Sequence, residues 1–373
     1  MSVLLMGFRS GAARNLEEMN IDYIIWSEKE LINPRRSQKV IISRFPEKIE
    51  DLNGYLEEFS SITHVIASTE SAVIPASKIR RWLDLYRNKD SVISRCTDKL
   101  EMKKYLSKKN IPMTKFLPSR GMKSEQIVEK LGLPVVSKIR LSSGGRGVRF
   151  LTTEEEVKTS MNSDSYFEKA LKGTEGSIES FIKDGEIFFS NITQYYKNGE
   201  CNILPGQYEK KIKERINSLN FEVIKALNIK WGMTHLEYYI LEGGEIVFGE
   251  VALRPPGGYI MDALDLAYGQ NFWKLFLQVE MNIEDLKLEV KENNSCSIII
   301  HPGEGVVSSI LGVENIKNLK SLKKFKLKIK VGDQVQSREG VGEDYGHALL
   351  SNTNSRELLD DINKFYKLLE ISL

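Results

Sequence analysis

The sequence predicts an α/β N-terminal domain, an α+β central domain and a small α+β C-terminal segment. Three observations predict this. Over the first ninety residues, short apolar runs alternate with amphipathic stretches, the pattern that builds a parallel sheet. From Val135 to about Phe248 the apolar runs are joined by Gly-rich turns, so hairpins replace crossovers. After Gln278 come short strands and a last helix, Ser355–Leu369. The divisions that follow are residues 1–93, 94–280 and 281–373.

In the first division Val3–Met6, Tyr23–Trp26, Val40–Ser43 and Thr63–Ala67 read as strands, and Ser77–Tyr86 as a helix. The first strand runs into Gly7-Phe8-Arg9-Ser10-Gly11, a tight turn at a strand's carboxyl end. Ligands bind at such places in open α/β sheets. Any βα turn also wants those glycines, so both readings stand. In the second division Asp98 to Lys109 reads as a helix, with Asp98 as N-cap and Glu101 completing a capping-box-like pattern before Ile111-Pro112 ends it. A further helix is expected over Lys211–Leu227.

Composition excludes several classes. Lys plus Arg number 53 against 51 for Asp plus Glu, a net charge of +2, without the basic excess of a nucleic-acid binder. Cys96, Cys201 and Cys296 are odd in number and form no CxxC, so they read as buried thiols rather than disulfides or zinc ligands. Met1 leads directly into a strand, unlike a signal peptide, and no apolar run reaches the roughly 18–20 residues that cross a bilayer. A soluble, cytoplasmic protein with no membrane partner is expected.

The sharpest chemical signal lies between Glu237 and Glu250. Two apolar runs flank Glu242-Gly243-Gly244-Glu245, and Gly-Gly favours a two-residue hairpin turn. Paired residues then share one index sum. Glu237 should oppose Glu250, beside the Tyr239–Phe248 and Leu241–Ile246 pairs. Directly opposed like charges destabilise a sheet unless a partner neutralises them. A hard cation held by two carboxylates and phosphate oxygens would do so. Solvation at an exposed sheet end is the alternative.

A second signal is the strand Val135–Ile139, the loop Ser142-Ser143-Gly144-Gly145-Arg146-Gly147 and a returning strand at Val148–Leu151. Glycines let backbone N–H groups converge on phosphate oxygens. No GxxxxGK[ST] occurs and no helix follows, so this is neither a Walker loop nor a dinucleotide fingerprint. A flexible hairpin turn is the bland reading. Lys138, in the apolar strand, needs an anionic partner if buried. A third segment, Glu179-Ser180-Phe181-Ile182 before Lys183-Asp184-Gly185-Glu186, reads as strand, turn, strand.

In order along the chain, these segments resemble the ATP-grasp superfamily. The resemblance runs from Ser68-Thr69-Glu70-Ser71-Ala72-Val73 through Asp98-Lys99-Leu100-Glu101-Met102, the Lys138 strand and loop, and Glu179 with Glu186. It closes on Glu250-Val251-Ala252-Leu253-Arg254-Pro255-Pro256-Gly257-Gly258. It implies a Rossmann-like N-terminal domain before the ATP-grasp domains, with a lid subdomain at about 113–182. It further implies that Lys99 and Lys138 contact ATP phosphates under the 142–147 loop. Glu179 and the backbone of Ser180, Phe181 and Ile182 would hold adenine, and Glu186 the ribose. Glu237 and Glu250 would bind Mg²⁺, or Mn²⁺ in its place, and Arg254 would be catalytic, stabilising an acyl phosphate. Ala252 departs from the Asn that many relatives carry, which leaves the second metal's geometry open.

The implied activity is an ADP-forming carboxylate–amine ligase acting on a small-molecule carboxylate and an amine. The Arg-Pro-Pro-Gly-Gly stretch resembles the amino-acid ligase branch, and a homodimer is a common arrangement in the family. A carboxylase or thiol ligase on the same scaffold, or a catalytically silent ATP-binding protein, are the alternatives. A nicotinamide dehydrogenase fails, because no GxGxxG follows the first strand.

Four more residues are substrate candidates: Glu70 (or a helix cap), His235 (or a hydrogen-bonded structural histidine), and Gly257 with Gly258. His347 could face an acceptor pocket, while His301 sits in the last segment beside Pro302-Gly303. The seven lysines of Lys317–Lys330 end in strict alternation, Phe325 to Lys330, and read as the solvated face of a strand.

Overall fold

The computed structural model describes all residues except 32–36, 38, 86, 285, 287, 290 and 341. Four parallel strands open the chain: β1 (Ser2–Met6), β2 (Asp22–Ser27), β3 (Lys39–Ile42) and β4 (His64–Ala67), in the order β3-β2-β1-β4. β1 is almost wholly apolar and buried because helices cover both faces of this sheet. All four expected strands are present. The expected helix at 77–86 instead runs Glu70–Trp82, and Tyr86 lies outside the described residues. It starts earlier because Ser71–Ile74 continue the buried spacing of Ala72, Val73 and Ala76 in spite of Pro75. A helix at Ser10–Glu18 follows the first turn. Gly7 there takes φ +73°, and a Cβ would overlap the Thr69 hydroxyl at 2.1 Å, so this glycine is required by packing.

The chain then folds two helices, Asp90–Thr97 and Lys99–Ser107. Asp98 caps the second by accepting from the N–H groups of Leu100 (3.0 Å) and Glu101 (3.2 Å), as expected of the N-cap. A small antiparallel sheet follows in the order β5-β8-β6-β7, built from β5 (Phe116–Pro118), β6 (Val135–Ile139), β7 (Arg149–Leu151) and β8 (Ser165–Lys169). Two short helices cover it around Ile127, Leu131, Val157 and Phe167. This lid ends at β8. Its expected limit near 182 is corrected, because β9 (Gly173–Lys183) pairs along its length with two strands of another sheet.

That sheet has eight strands, in the order β13-β12-β9-β10-β11-β14-β19-β17. Its members are β9, β10 (Glu186–Lys197), β11 (Cys201–Leu204), β12 (Gly232–Leu241), β13 (Ile246–Ala252), β14 (Asn294–Ile300), β17 (Leu322–Leu327) and β19 (Gly346–Asn352). Two short pairs, β15 (Gly305–Val306) with β18 (Gln334–Val335) and β16 (Ser309–Leu311) with β20 (Glu370–Ser372), complete the strands described. The sheet is continuous from the central division into the last, so the C-terminal segment shares the central sheet. The helix Lys210–Leu227 packs on one face with Ile178, Ile182, Leu236 and Val251. Helices Ile260–Tyr268 and Phe272–Glu280 fill the space between the other face and the N-terminal domain.

The three cysteines are free and buried. Lys323, Lys324, Lys326 and Lys328 are exposed, in agreement with a solvated strand face. Among the described residues no helix is long and apolar enough to cross a membrane.

Candidate active site

The β12–β13 hairpin sets the first part of the site. Glu237 does oppose Glu250, but the expected neighbouring pairs are corrected: Tyr238 pairs Phe248, Tyr239 pairs Val247 and Ile240 pairs Ile246. The loop holds three residues, Glu242, Gly243 and Gly244, because the Gly244 N–H bonds to the Leu241 carbonyl (2.8 Å) and Leu241 N–H to that of Glu245 (2.9 Å). This shifts the register by one. A bulge at Gly249, between the Glu250 and Phe248 pairs, shifts it back; a Cβ there would lie 2.9 Å from the Glu237 carbonyl.

Both carboxylates are partly open to solvent, their side chains 26% and 22% exposed. Glu250 is pushed up by burial and by Glu237, against the pull of Lys99. Burial raises Glu237 too, but His235, Lys138 and Lys99 together outweigh it and hold the group below the ordinary value. Among the described residues no group of three His, Cys, Asp or Glu side chains is placed to hold a metal ion by itself. Two facing carboxylates still suit a cation that takes its other oxygens from phosphates and water, as magnesium does.

Lys99 begins its helix beside this pair. Its Nζ bonds to the Ser142 carbonyl and lies 3.6 Å from Glu250 Oε2, so it bridges the glycine loop and the carboxylates. Arg140 fixes the loop's root by pairing with Asp98, while its carbonyl accepts from the Lys99 N–H (3.1 Å). Within the loop Arg146 bonds to Ser143 Oγ (2.8 Å), and Gly144, Gly145 and Gly147 all have positive φ. The loop reaches the C-terminal segment: a Cβ on Gly340 would lie 2.8 Å from the Gly144 carbonyl and 3.1 Å from Arg146 Cγ.

Lys138 is buried in β6 with Glu168 of β8, Nζ to Oε2 3.2 Å. Lys103 approaches the other oxygen at 2.9 Å, angled poorly for a hydrogen bond, so that contact is chiefly Coulombic. Burial opposes the carboxylate, yet the two lysines hold Glu168 at about 2. A carboxylate lowered from 4.5 adds stability above pH 4.5 that is lost as pH falls towards 2. Glu168→Gln should therefore cost about 3–5 kcal/mol at pH 7, the usual penalty for unpairing buried charge. Urea midpoints measured against pH should fall less steeply between 4.5 and 2 in the variant than in the parent.

Glu179 is elsewhere. It is fully buried, with Ser177 Oγ (2.7 Å), His235 Nδ1 (2.9 Å), Asn191 Nδ2 (2.9 Å) and Thr193 Oγ1 (2.6 Å) around its oxygens. Ser180, Phe181 and Ile182 pair with β10 on one side and β12 on the other. Neither that carboxylate nor that backbone is open to an adenine ring, and the expectation for these four residues is corrected. Glu186 is exposed at the far end of the β9–β10 hairpin. Glu175, which interacts with Glu237, and Lys183, at the turn, are about 26 Å of strand apart. Glu186 is therefore also corrected.

The same seven-residue spacing occurs eleven residues earlier, at Glu168 and Glu175. Residues 169–172 cross from the lid to the central sheet. Glu175 faces Tyr239 and bonds to Asn198 (2.6 Å), and burial with neighbouring Glu237 pushes it up to about 7. The signal was present in the sequence, but an identical spacing downstream obscured it.

His235 links Glu179 to Glu237, its Nε2 3.5 Å from Glu237 Oε1. Burial alone would lower its pKa; the two carboxylates raise it to about 9. Ala252 pairs with His235. Arg254, just beyond β13, binds Glu70 at the start of the Glu70–Trp82 helix (Nε to Oε2 2.7 Å), so Glu70 is an ion-pair partner rather than a cap. Gly258 presents its carbonyl to Ser297 Oγ (2.8 Å), and open space surrounds the Cα of Gly257. Lys99 thus joins the loop to Glu250, which faces Glu237, while Lys138 is paired with Glu168 and Arg254 with Glu70.

Residues 104–266 match the model of the ATP-grasp domain. An L-arginine-specific L-amino acid ligase of Bacillus subtilis is 24% identical over 323 residues, covering 79% of this chain and 76% of the relative. An L-amino acid ligase structure from Bacillus licheniformis superposes with TM-score 0.84 at 17% identity, over 100% of this chain and 98% of the other. An N5-carboxyaminoimidazole ribonucleotide synthetase from Thermotoga maritima gives 0.77 at 18% identity, over 99% of each chain.

Proposed function

We propose that this protein is an ATP-dependent carboxylate–amine ligase working through an acyl phosphate. The observation that carries the reading is the facing pair Glu237 and Glu250 with Lys99 between it and the glycine loop. The names of the relatives, L-amino acid ligases among them, support amino acids as the substrate class.

The residue roles follow from charge. Lys99 and Lys138 neutralise phosphate oxygens, and the 142–147 loop covers them with backbone N–H groups. Glu168 to Glu175 borders the adenine and ribose, with Glu175 accepting from ribose hydroxyls. Glu237 and Glu250 would hold Mg²⁺, which supplies charge neutralisation across the transferring phosphate. A substrate carboxylate oxygen attacks the γ-phosphorus, the bond to the β–γ bridging oxygen breaks, and ADP departs. Arg254 stabilises the charge on the acyl phosphate and on the oxyanion formed when the amine attacks. The amine loses a proton, the carbon–oxygen bond to phosphate breaks, and the amide is left. Positioning and electrostatics carry both steps.

Turnover of a carboxylate labelled with ¹⁸O tests this pathway. One labelled oxygen should appear in the released phosphate. Unlabelled phosphate with labelled product would sink the acyl-phosphate route.

A further inference from the structure

Ligands in open α/β sheets bind beyond the carboxyl ends of the strands where the order reverses. In the order β3-β2-β1-β4 that point lies between β1 and β4. Arg9 follows β1, and Ser68 to Glu70 follow β4. Arg9 Nε makes only a long bond to the Ser68 carbonyl (3.4 Å), and among the described residues no carboxylate lies within ion-pair distance of it. Arg254 stands near enough to repel it, and Arg254 already occupies Glu70. Glu70 is thus committed to Arg254, and the carboxylate that acts on Arg9 is Asp262, which lies beyond ion-pair distance.

Burial first, then Arg254, lower the Arg9 pKa to about 10. Guanidinium nevertheless keeps its proton at neutral pH, so Arg9 stands as a part-buried cation without an ion-pair partner among the described residues. Tyr259, which interacts with Arg9, holds a left-handed backbone (φ +58°) and stacks on His347 with ring centroids 3.9 Å apart. His347 is 3% exposed, and neither ring nitrogen has a partner. Asp344 is taken by Lys328 (2.6 Å) and Tyr259 (3.1 Å). A buried polar group without a partner is unfavourable, and Tyr259 connects two such groups, the Arg9 guanidinium and the His347 imidazole.

We propose that Arg9 and His347 bind the non-reacting carboxylate of an amino-acid substrate, and so determine selection of amino acids over simple amines. What the bound molecule is for rests on the ligase reading; the binding itself is tested without turnover. A carboxylate fits a planar fork better than a spherical anion does.

The test is equilibrium binding, with Mg-ADP present, of each of the twenty L-amino acids and of its α-carboxamide. The wild type, Arg9→Ala, Arg9→Lys and His347→Phe would be compared, the last keeping the stack on Tyr259. At least one amino acid should bind the wild type more than tenfold tighter than its amide. Arg9→Ala should lose that preference, Arg9→Lys should restore part of it, and His347→Phe should weaken the acid several-fold. Equal binding of acid and amide, unchanged binding by Arg9→Ala, or binding of no amino acid would overturn the assignment. Release of ADP in parallel reactions reads the ligase activity separately. Acid-selective binding without ADP keeps this subsite and removes the ligase, whereas ADP formed equally with amides does the reverse.

Discussion

Glu250→Gln is expected to abolish turnover, by about 10³-fold or more, while the fold is kept. The substitution removes one of two opposed carboxylates without changing shape. It relieves the like-charge repulsion with Glu237 across the strand pair, so stability should hold or rise slightly. What is lost is the anionic seat for a cation. Loss of a single preorganised charge-stabilising group costs about 10²–10³, and here Lys99 also loses its neighbour at 3.6 Å. Steady-state turnover beside thermal unfolding checks both halves. Wild-type turnover would exclude Glu250 as a metal ligand.

The second large effect concerns Arg254. Arg254→Ala should lower kcat by about 10²–10³ with little change in KM for ATP, because the guanidinium acts on the acyl phosphate and not on the nucleotide. The same change strands Glu70, which is 15% exposed, so stability must be measured alongside. Arg254→Lys keeps the charge but loses the planar fork, and should recover only part of kcat. An equal fall in ATP affinity and kcat would mean that Arg254 holds the nucleotide instead.

How much of this was legible in the sequence varies from one element to the next. The four parallel strands were readable because each is a short apolar run bounded by polar turns. The Ser10–Glu18 and Asp90–Thr97 helices were not identified, their spacing being short and interrupted by Gly11 and Ser94. The Glu237–Glu250 pairing was reached through a register that two departures, the three-residue loop and the Gly249 bulge, alter and then restore.

The nucleotide's neighbourhood was harder for a different reason. Glu168 with Glu175 and Glu179 with Glu186 have the same spacing and similar flanks. Only strand pairing separates them, by placing one at the lid crossing and the other in a sheet interior. The environments of Arg9 and His347 arise where three parts of the chain meet, so no local pattern could announce their missing partners.

The most direct test of the ligase reading is nucleotide product analysis with Mg-ATP and paired pools of amino acids. ADP and phosphate, formed in equal amounts and only when both a carboxylate and an amine are supplied, is the predicted result. AMP and pyrophosphate would mean adenylation and contradict the acyl phosphate, and ADP formed without any amine requirement would contradict the ligase.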